Sequence, residues 1–387
     1  MITNILKRIG FDLITVPFVI ILLAIIFLDT KAIYRSTFLI TELLPGVSVP
    51  FLDTFLDVPI KQALELEDGN KVIEADLYMP NRKHDAPAFI FFLGVSPADR
   101  GSDPRVESLA NALASLGIAV LVPWLETQEK QVVVKDDIES LIYLFQYLSD
   151  MDEIDGTKIG MGGICTGASM VAVAASDDRI NDNVKFLNLF AGYYDAFDFM
   201  ESVLTEKRFY DGRLQYWKPD YLTKKVVLRQ LIESISNNQD KDYLMPLILN
   251  EDINIQSEAL ITDEAKIIYR LISGAYKSDI QGLFDQLPYE TISYLQDISP
   301  SKFTKGLKTN VLIMHDRNDR LVPVEESMRF RNSLKPLGEI YYTEFSSFQN
   351  QIQVHVDKDS KNISIIDYVK ESLKLLAHLY EAMKQVS

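Results

Sequence analysis

The single cysteine of the chain, Cys165, stands in a glycine-rich turn between two stretches of different character. Residues 159–162 are typical of a short buried strand, and residues 168–175 are typical of a helix rich in small residues. A strand that turns at once into a helix forces the residue at its apex into strained backbone dihedrals. The sulfur would then lie at the N-terminus of the helix, where the dipole and the free N–H groups stabilise a thiolate. The pattern therefore predicts nucleophilic chemistry at Cys165.

Two glycines, Gly163 and Gly167, lie two positions to either side of Cys165. At these positions a Cβ atom would clash with the neighbouring strand or helix. The segment resembles the G-x-S-x-G nucleophile elbow of the α/β-hydrolases, in the G-x-C-x-G form that dienelactone hydrolases use. The alternative interpretation of Cys165 is a buried structural cysteine beside a glycine-rich turn.

The resemblance implies a catalytic triad in the chain order nucleophile, acid, histidine, which Cys165, Asp319 and His355 follow. Residues 315–323 resemble the H-G-x-x-D-x-x-V-P acid loop of the family, with Asp319 as the acid. Asp316 replaces the glycine of that loop and is the rival acid. His355 is the only histidine between the last predicted strand and the last predicted helix, the segment in which the family carries its base.

The resemblance also implies two backbone donors for the oxyanion of an acyl-transfer reaction. One is the N–H of Thr166, directly after the nucleophile. The other is the N–H of Val95, in the loop after the predicted strand that ends at Leu93. Gly94 carries no role of its own in this interpretation, because backbone groups supply the donors and side chains need only stay clear.

Charge and composition restrict the partners. The formal net charge of −16 opposes approach to nucleic-acid phosphates, so no nucleic-acid partner is expected. One cysteine excludes a Cys-based zinc cluster, and the four histidines show no metal-ligand spacing. We therefore expect no metal and no cofactor, and a small-molecule acyl substrate as the ligand.

The N-terminus predicts a membrane segment, because residues 13–28 are apolar and free of charge. We interpret residues 1–30 as an uncleaved, single-pass transmembrane anchor. A cleaved signal peptide and a buried core helix are the alternatives. The side of the membrane on which the globular part lies is not specified, since basic residues flank both ends of the segment. Residues 31–57 form a linker that lies at the membrane interface or packs on the body of the protein.

The remaining chain predicts an α/β fold with a doubly wound, mostly parallel sheet, because strands alternate with helices. Residues 58–195 form the first part of this α/β-hydrolase core, and residues 300–387 form the second part. Residues 196–299 show helical periodicity without a convincing strand. We interpret them as a helical cap inserted into the core over the mouth of the active site.

These features together predict a membrane-anchored α/β-hydrolase that cleaves a carboxylic ester, lactone or thioester. The Cys-His-Asp triad would act through an acyl-enzyme intermediate. Two alternatives remain: an acyltransferase on the same scaffold, and a catalytically inactive hydrolase fold that serves as a binding module. Dienelactone hydrolases lack such a cap, so their substrate is not carried over to this chain.

Overall fold

The structure is a computed structural model that describes residues 29–44, 56, 58–69, 71–81, 84–95, 103–249, 255–274, 279–336, 340–346 and 364–387. The predicted transmembrane anchor, residues 1–30, lies outside this set except for its last two residues. His355 also lies outside it. In the described part of the chain, no helix combines the length and the apolar character that crossing a bilayer requires.

The central element is an eight-stranded sheet. Its strands are β1 (Ile60–Asp68), β2 (Lys71–Met79), β3 (Ala86–Phe92), β4 (Ala119–Trp124), β5 (Ile154–Ile164), β6 (Val184–Phe190), β9 (Asn310–Asp316) and β10 (Ile340–Phe345). They lie in the order β1-β2-β4-β3-β5-β6-β9-β10. β1 pairs antiparallel with β2, and β2 pairs antiparallel with β4, whereas all later pairs are parallel. The expected doubly wound, mostly parallel sheet is therefore confirmed.

Thirteen α-helices occur among the described residues, and many of them begin at a side-chain cap that the sequence contains. Asp103, for example, accepts a hydrogen bond from the Arg105 N–H at the start of the second helix, with proline as the first helical residue. The helices are α1 (Thr30–Leu43), α2 (Pro104–Ser115), α3 (Glu126–Lys130), α4 (Asp136–Ser149), α5 (Thr166–Ala174), α6 (Ala196–Thr205), α7 (Tyr221–Glu233), α8 (Asn238–Leu244), α9 (Asp263–Ile272), α10 (Ile280–Phe284), α11 (Tyr289–Asp297), α12 (Val324–Leu334) and α13 (Ile365–Lys384).

The sheet carries a separate apolar core on each face. Along β3, Ile90 and Phe92 point into the core that contains α4 and α5, whereas Phe89 and Phe91 point into the core that contains α1, α2 and α13. This division follows from the alternation of side chains along a strand. All seven residues of β3 are buried, which is the burial expected of a central parallel strand. The sheet is thus packed between two layers of helices.

Helix α1, at the start of the 31–57 segment, packs on the body of the protein. Arg35 is buried, with Nε donating to the Leu116 carbonyl at 3.2 Å and Nη1 donating to the Val386 carbonyl at 2.8 Å. A buried guanidinium requires such acceptors. The Asp29 N–H also donates to the Tyr380 hydroxyl at 3.1 Å. Helix α1 is thereby fixed to α2 and α13.

The chain leaves the sheet after β6 and returns at β9, and the described residues of this long excursion contain one hairpin besides their helices. The hairpin joins β7 (Lys207–Tyr210) to β8 (Arg213–Tyr216), in a stretch where the sequence analysis finds no strand. The missed signal is Asp211-Gly212, where both residues have positive φ, 52° and 72°, as two-residue hairpin turns require. The strands themselves are only four residues long and largely exposed, so they show little hydrophobic periodicity.

Candidate active site

Cys165 connects the end of β5 directly to the start of α5, in a backbone conformation that is strained for a residue with a side chain. Its φ is 54° and its ψ is −128°. Such a conformation persists only where surrounding contacts impose it. The Cys165 N–H donates to the Phe190 carbonyl of β6 at 2.9 Å, and the Cys165 carbonyl accepts from the Ala168 N–H at 3.1 Å. The sharp strand-to-helix turn expected from the sequence is present.

Gly163 and Gly167 are required by close approach of the backbone on both sides of this turn. A Cβ atom at Gly163 would lie 2.5 Å from the Phe92 carbonyl oxygen, and one at Gly167 would lie 2.3 Å from the same oxygen. Both distances are far below van der Waals contact, so neither position accepts a side chain. The two glycines let the end of β3 pass directly over the elbow.

Gly94 is equally constrained, which corrects the interpretation that it carries no role of its own. Its φ is +68°, and a Cβ atom there would lie 2.1 Å from the Gly167 nitrogen and 2.3 Å from Thr166 Oγ1. The loop after β3 therefore packs its bare backbone against the first turn of α5. Sequence reasoning missed this because Gly94 and Gly167 are distant in the chain, and only the parallel β3–β5 pairing brings them together.

The two predicted oxyanion donors lie beside Cys165. The Thr166 N–H faces the Cys165 sulfur and favours its ionised form. The Val95 N–H donates to Thr166 Oγ1 at 2.8 Å, so the Thr166 side chain engages the donor that the sequence assigns to the oxyanion. Thr166 is buried, whereas Val95 is only partly buried. Val95, Cys165 and Thr166 line the same cavity.

Asp319 is fully buried in the loop that follows β9. Its Oδ1 accepts from the Leu321 N–H at 2.5 Å and from the Val322 N–H at 3.2 Å, while its Oδ2 lies 3.5 Å from His315 Nε2. Its negative charge acts on Cys165, whose pKa it raises. The structure therefore brings Asp319 into the electrostatic neighbourhood of the sulfur.

Asp316, the rival acid, ends β9 and is also buried. Its Oδ1 accepts from the Asn318 N–H at 2.8 Å, and its carbonyl accepts from the Asp319 N–H at 3.1 Å. These are the contacts of a residue that shapes a turn. Asp319, by contrast, contributes to the raised pKa of Cys165.

Two histidines are buried and fully engaged. His315 Nδ1 lies 2.7 Å from Ser327 Oγ, and His315 Nε2 lies 2.9 Å from the Val322 carbonyl oxygen. His378 bridges Thr343 Oγ1, at 2.9 Å, and Asn188 Oδ1, at 3.0 Å. Because all four ring nitrogens have partners, neither side chain is available as a base for Cys165. His84 is exposed, and His355 lies outside the described residues.

Burial and the charge of Asp319 raise the pKa of Cys165 to about 12, against the weaker opposing effect of the Thr166 N–H. The expectation that the helix N-terminus holds Cys165 as a thiolate is therefore wrong for the described surroundings. The Thr166 N–H does not offset the combined effects of burial and of the Asp319 charge on this pKa. Attack by Cys165 thus requires a base that removes the thiol proton during the reaction.

The raised pKa of Cys165 predicts how the protein reacts with iodoacetamide, which attacks thiolates. We expect the folded protein to react more slowly than the unfolded chain at pH 7, with a rate that rises about tenfold per pH unit and shows no plateau up to pH 10. The chain unfolded in urea serves as the control, since its thiol has the ordinary pKa of ~8.5. Because Cys165 is the only cysteine, labelling reports on it alone. A plateau below pH 8 in the folded protein would reveal a preformed thiolate–imidazolium pair instead.

Cys165 and Thr166 open onto a cavity of about 550 Å³, a size typical of small-molecule sites. Its walls are mainly apolar near the elbow. Leu222, Thr223 and Val226 line it from α7. Among the described residues, no cluster of three or more potential metal ligands occurs.

No family model and no curated protein matches the chain. The structure is similar to the acylaminoacyl peptidase of Pyrococcus horikoshii, with 15% identity and a TM-score of 0.48 over 86% of this chain and 42% of the peptidase. It is also similar to esterase B of Lactobacillus rhamnosis (12% identity, TM-score 0.46, 85% of this chain and 88% of the esterase). A third similar structure is a thermostable esterase of Pseudomonas putida (11% identity, TM-score 0.48, 87% of each chain).

The chain spans less than half the length of the acylaminoacyl peptidase. The α/β-hydrolase fold of this chain is defined by the strand order of its sheet and by the strained turn between β5 and α5.

Proposed function

We propose that this protein hydrolyses a carboxylic ester or thioester, with Cys165 as the nucleophile, in the manner of a dienelactone-hydrolase-like enzyme. The observation that carries the proposal is the strained elbow, which holds Cys165 at the wall of an apolar cavity. Backbone strain at a reactive side chain indicates a functional constraint, because packing alone gives no reason to retain it. The buried Asp319 supports the proposal, since an acid of this kind orients a histidine base.

In the proposed reaction, His355 removes the proton of the Cys165 thiol while the sulfur attacks the acyl carbonyl. The S–C bond forms, and the carbonyl becomes a tetrahedral oxyanion. When the oxyanion collapses, the bond to the leaving alcohol or thiol breaks, and the leaving group takes the proton from His355. His355 then deprotonates water, which attacks the thioester and releases the carboxylic acid and the Cys165 thiol. Asp319 orients His355 and stabilises its positive charge.

The oxyanion is stabilised in this proposal by the N–H groups of Thr166 and Val95. Because the Val95 N–H is bonded to Thr166 Oγ1, the substrate oxygen has to replace that hydroxyl as its acceptor. The proposal thus includes a small local rearrangement on substrate binding.

The excursion between β6 and β9 acts as a cap in this proposal, because α7 contributes side chains to the cavity beside Cys165. We further propose that residues 1–30 anchor the protein in a membrane, on the strength of their apolar sequence.

A second candidate function is a hydrolase-like binding module without catalytic activity. Two observations favour it: the pKa of Cys165 is raised, and the Val95 N–H is already engaged. In such a site the nucleophile is not ionised, and one of the two oxyanion donors is already engaged. In this second function, the protein binds esters or thioesters in the cavity without cleaving them.

The deciding experiment compares the full-length protein with Cys165→Ala and His355→Ala on p-nitrophenyl acetate and butyrate. We expect each variant to lose at least ~10³-fold in kcat/KM, the scale on which triad residues act. His84→Ala is the matched control, because His84 is an exposed histidine outside the site. Full activity of Cys165→Ala would refute the mechanism.

Product analysis in the presence of alcohols distinguishes hydrolysis from acyl transfer. A hydrolase yields mainly the free acid, whereas an acyltransferase yields a new ester in proportion to the alcohol. Absence of turnover in the wild-type protein, on both esters, would favour the binding module.

A further inference from the structure

The cavity that begins at Cys165 extends far beyond the elbow, along the face of the sheet. At one end it is lined by Val95, Cys165 and Thr166. From there it continues between the sheet and the helices α1, α2 and α13. Its remote wall includes Leu39 of α1 and Ala382 and Val386 of the C-terminal segment. Protein interiors contain few voids larger than a water molecule, so a continuous space of about 550 Å³ on one face of a central sheet requires an explanation.

On the face of β5 that points toward α2 and α13, glycines replace side chains, so aromatic rings of the neighbouring strands lie directly against the backbone. A Cβ atom at Gly160 would lie 2.1 Å from the ring of Phe186, and one at Gly162 would lie 2.5 Å from the ring of Phe89. The two rings therefore lie over bare backbone. They stack at 5.6 Å with an interplanar angle of 7°. The result is a low, flat aromatic floor with open space above it.

Three residues on neighbouring central strands are partly exposed to this space. Ile164, Asn188 and Met314 come from β5, β6 and β9, whose other residues in the sheet interior are largely buried. From Phe190 to Phe186, both in the wall, the cavity follows β6 for four residues, which corresponds to about 13 Å. The cavity is thus elongated along the strands and accessible from the site.

The described walls carry charge only at the protein surface. The charged lining residues are Glu42, Asp103 and Arg105, and each is at least partly exposed. Asn188 is an uncharged polar residue of the interior wall, and its Oδ1 is engaged by His378. Burial lowers the pKa of His378 to about 3, so this histidine adds no positive charge at neutral pH. An ionised group has no partner in the interior of the cavity, whereas an alkyl chain is well accommodated.

We propose that the cavity holds the unbranched alkyl chain of a medium- or long-chain acyl substrate, whose carbonyl lies at Cys165. The proposal rests on the proposed function, since the acyl carbonyl at the sulfur determines where the chain enters. The chain then follows the aromatic floor toward α1 and α13.

The test is the dependence of kcat/KM on chain length, measured with p-nitrophenyl esters from C2 to C16. We expect each added methylene to raise kcat/KM by up to ~4-fold, the ratio that corresponds to transfer of a methylene out of water, until the cavity is filled. A flat profile, or a decline beyond C4, would contradict the proposal. A cavity occupied by the protein's own apolar residues 13–28 would give that flat profile.

Two variants place the chain in the cavity. Ala382→Leu fills space at the α13 wall and should shift the optimum to shorter esters. Ala377→Leu is the matched control, because Ala377 lies on the exposed face of the same helix. Leu109→Trp narrows the cavity from α2 and provides a second variant should Ala382→Leu fold poorly. An unshifted optimum in both cavity variants would overturn the proposal.

A binding measurement separates this proposal from the proposed function. Full-length Cys165→Ala is titrated with a fluorescent C12 fatty acid, and Ala382→Leu is introduced into the same background. Binding that Ala382→Leu weakens, in a protein without esterase activity, would support the cavity assignment and refute only the catalytic proposal. Normal Cys165-dependent hydrolysis of acetate, without fatty-acid binding, would support the catalytic proposal and refute the cavity assignment.

Discussion

We expect Asp319→Asn to lower kcat/KM for ester hydrolysis by ~10³- to 10⁴-fold while leaving the protein folded. The asparagine oxygen can still accept from the Leu321 and Val322 N–H groups, so the loop keeps its hydrogen bonds. The substitution removes the negative charge that orients and stabilises a protonated histidine base. The measurement is steady-state hydrolysis together with the urea midpoint of unfolding.

A second readout distinguishes this role from a structural one. Because the charge of Asp319 contributes to the raised pKa of Cys165, Asp319→Asn should lower that pKa and accelerate alkylation by iodoacetamide. The variant would then combine a more reactive thiol with a nearly inactive enzyme. A damaged fold would instead bring the alkylation rate to that of the unfolded chain.

Asp316→Asn is the matched control, because Asp316 is a buried carboxylate three residues earlier, at the end of β9. Its carboxylate accepts from the Asn318 N–H, and Asp316→Asn should retain most of the activity. If Asp316→Asn were inactive and Asp319→Asn active, the triad acid would be Asp316.

Local sequence patterns predicted most of the sheet and the elbow, because these features depend on residues that are close in the chain. The apolar runs indicated the parallel strands, and Asp103 with Pro104 indicated the start of α2. The Gly163–Gly167 spacing predicted the sharp turn at Cys165. In each case the signal and the structure lie within one element or one turn.

The features that local patterns did not predict depend on contacts between distant segments. The pKa of Cys165 is set by burial and by Asp319, 154 residues later in the chain, whereas the sequence shows only the helix N-terminus. The bonding of the Val95 N–H to Thr166 likewise requires β3 and β5 to be neighbours. The hydrogen bonds of Arg35 to the Leu116 and Val386 carbonyls likewise join segments that are far apart in the chain.

Gly94 is the strongest such case, and we expect Gly94→Ala to destabilise the fold by about 2–5 kcal/mol. A positive φ costs a residue with a Cβ atom ~1–2 kcal/mol. Forcing a methyl group into packed space adds ~1–3 kcal/mol. Here the added carbon would lie 2.1 Å from the Gly167 nitrogen, so the loop after β3 or the first turn of α5 has to move. Against a typical total stability of ~5–15 kcal/mol, this is a large loss.

The matched control for Gly94→Ala is Gly69→Ala, in the hairpin between β1 and β2. Gly69 has nearly the same backbone angle, φ +62°, but no described atom lies within 4 Å of the position that an added methyl group would take. The control therefore carries the backbone cost without the clash, and the difference between the two urea midpoints isolates the close approach of the loop to the elbow. Equal losses would mean that the loop after β3 can yield at no cost. A larger loss in Gly94→Ala, with faster alkylation of Cys165, would show that this contact holds the nucleophile in its strained position.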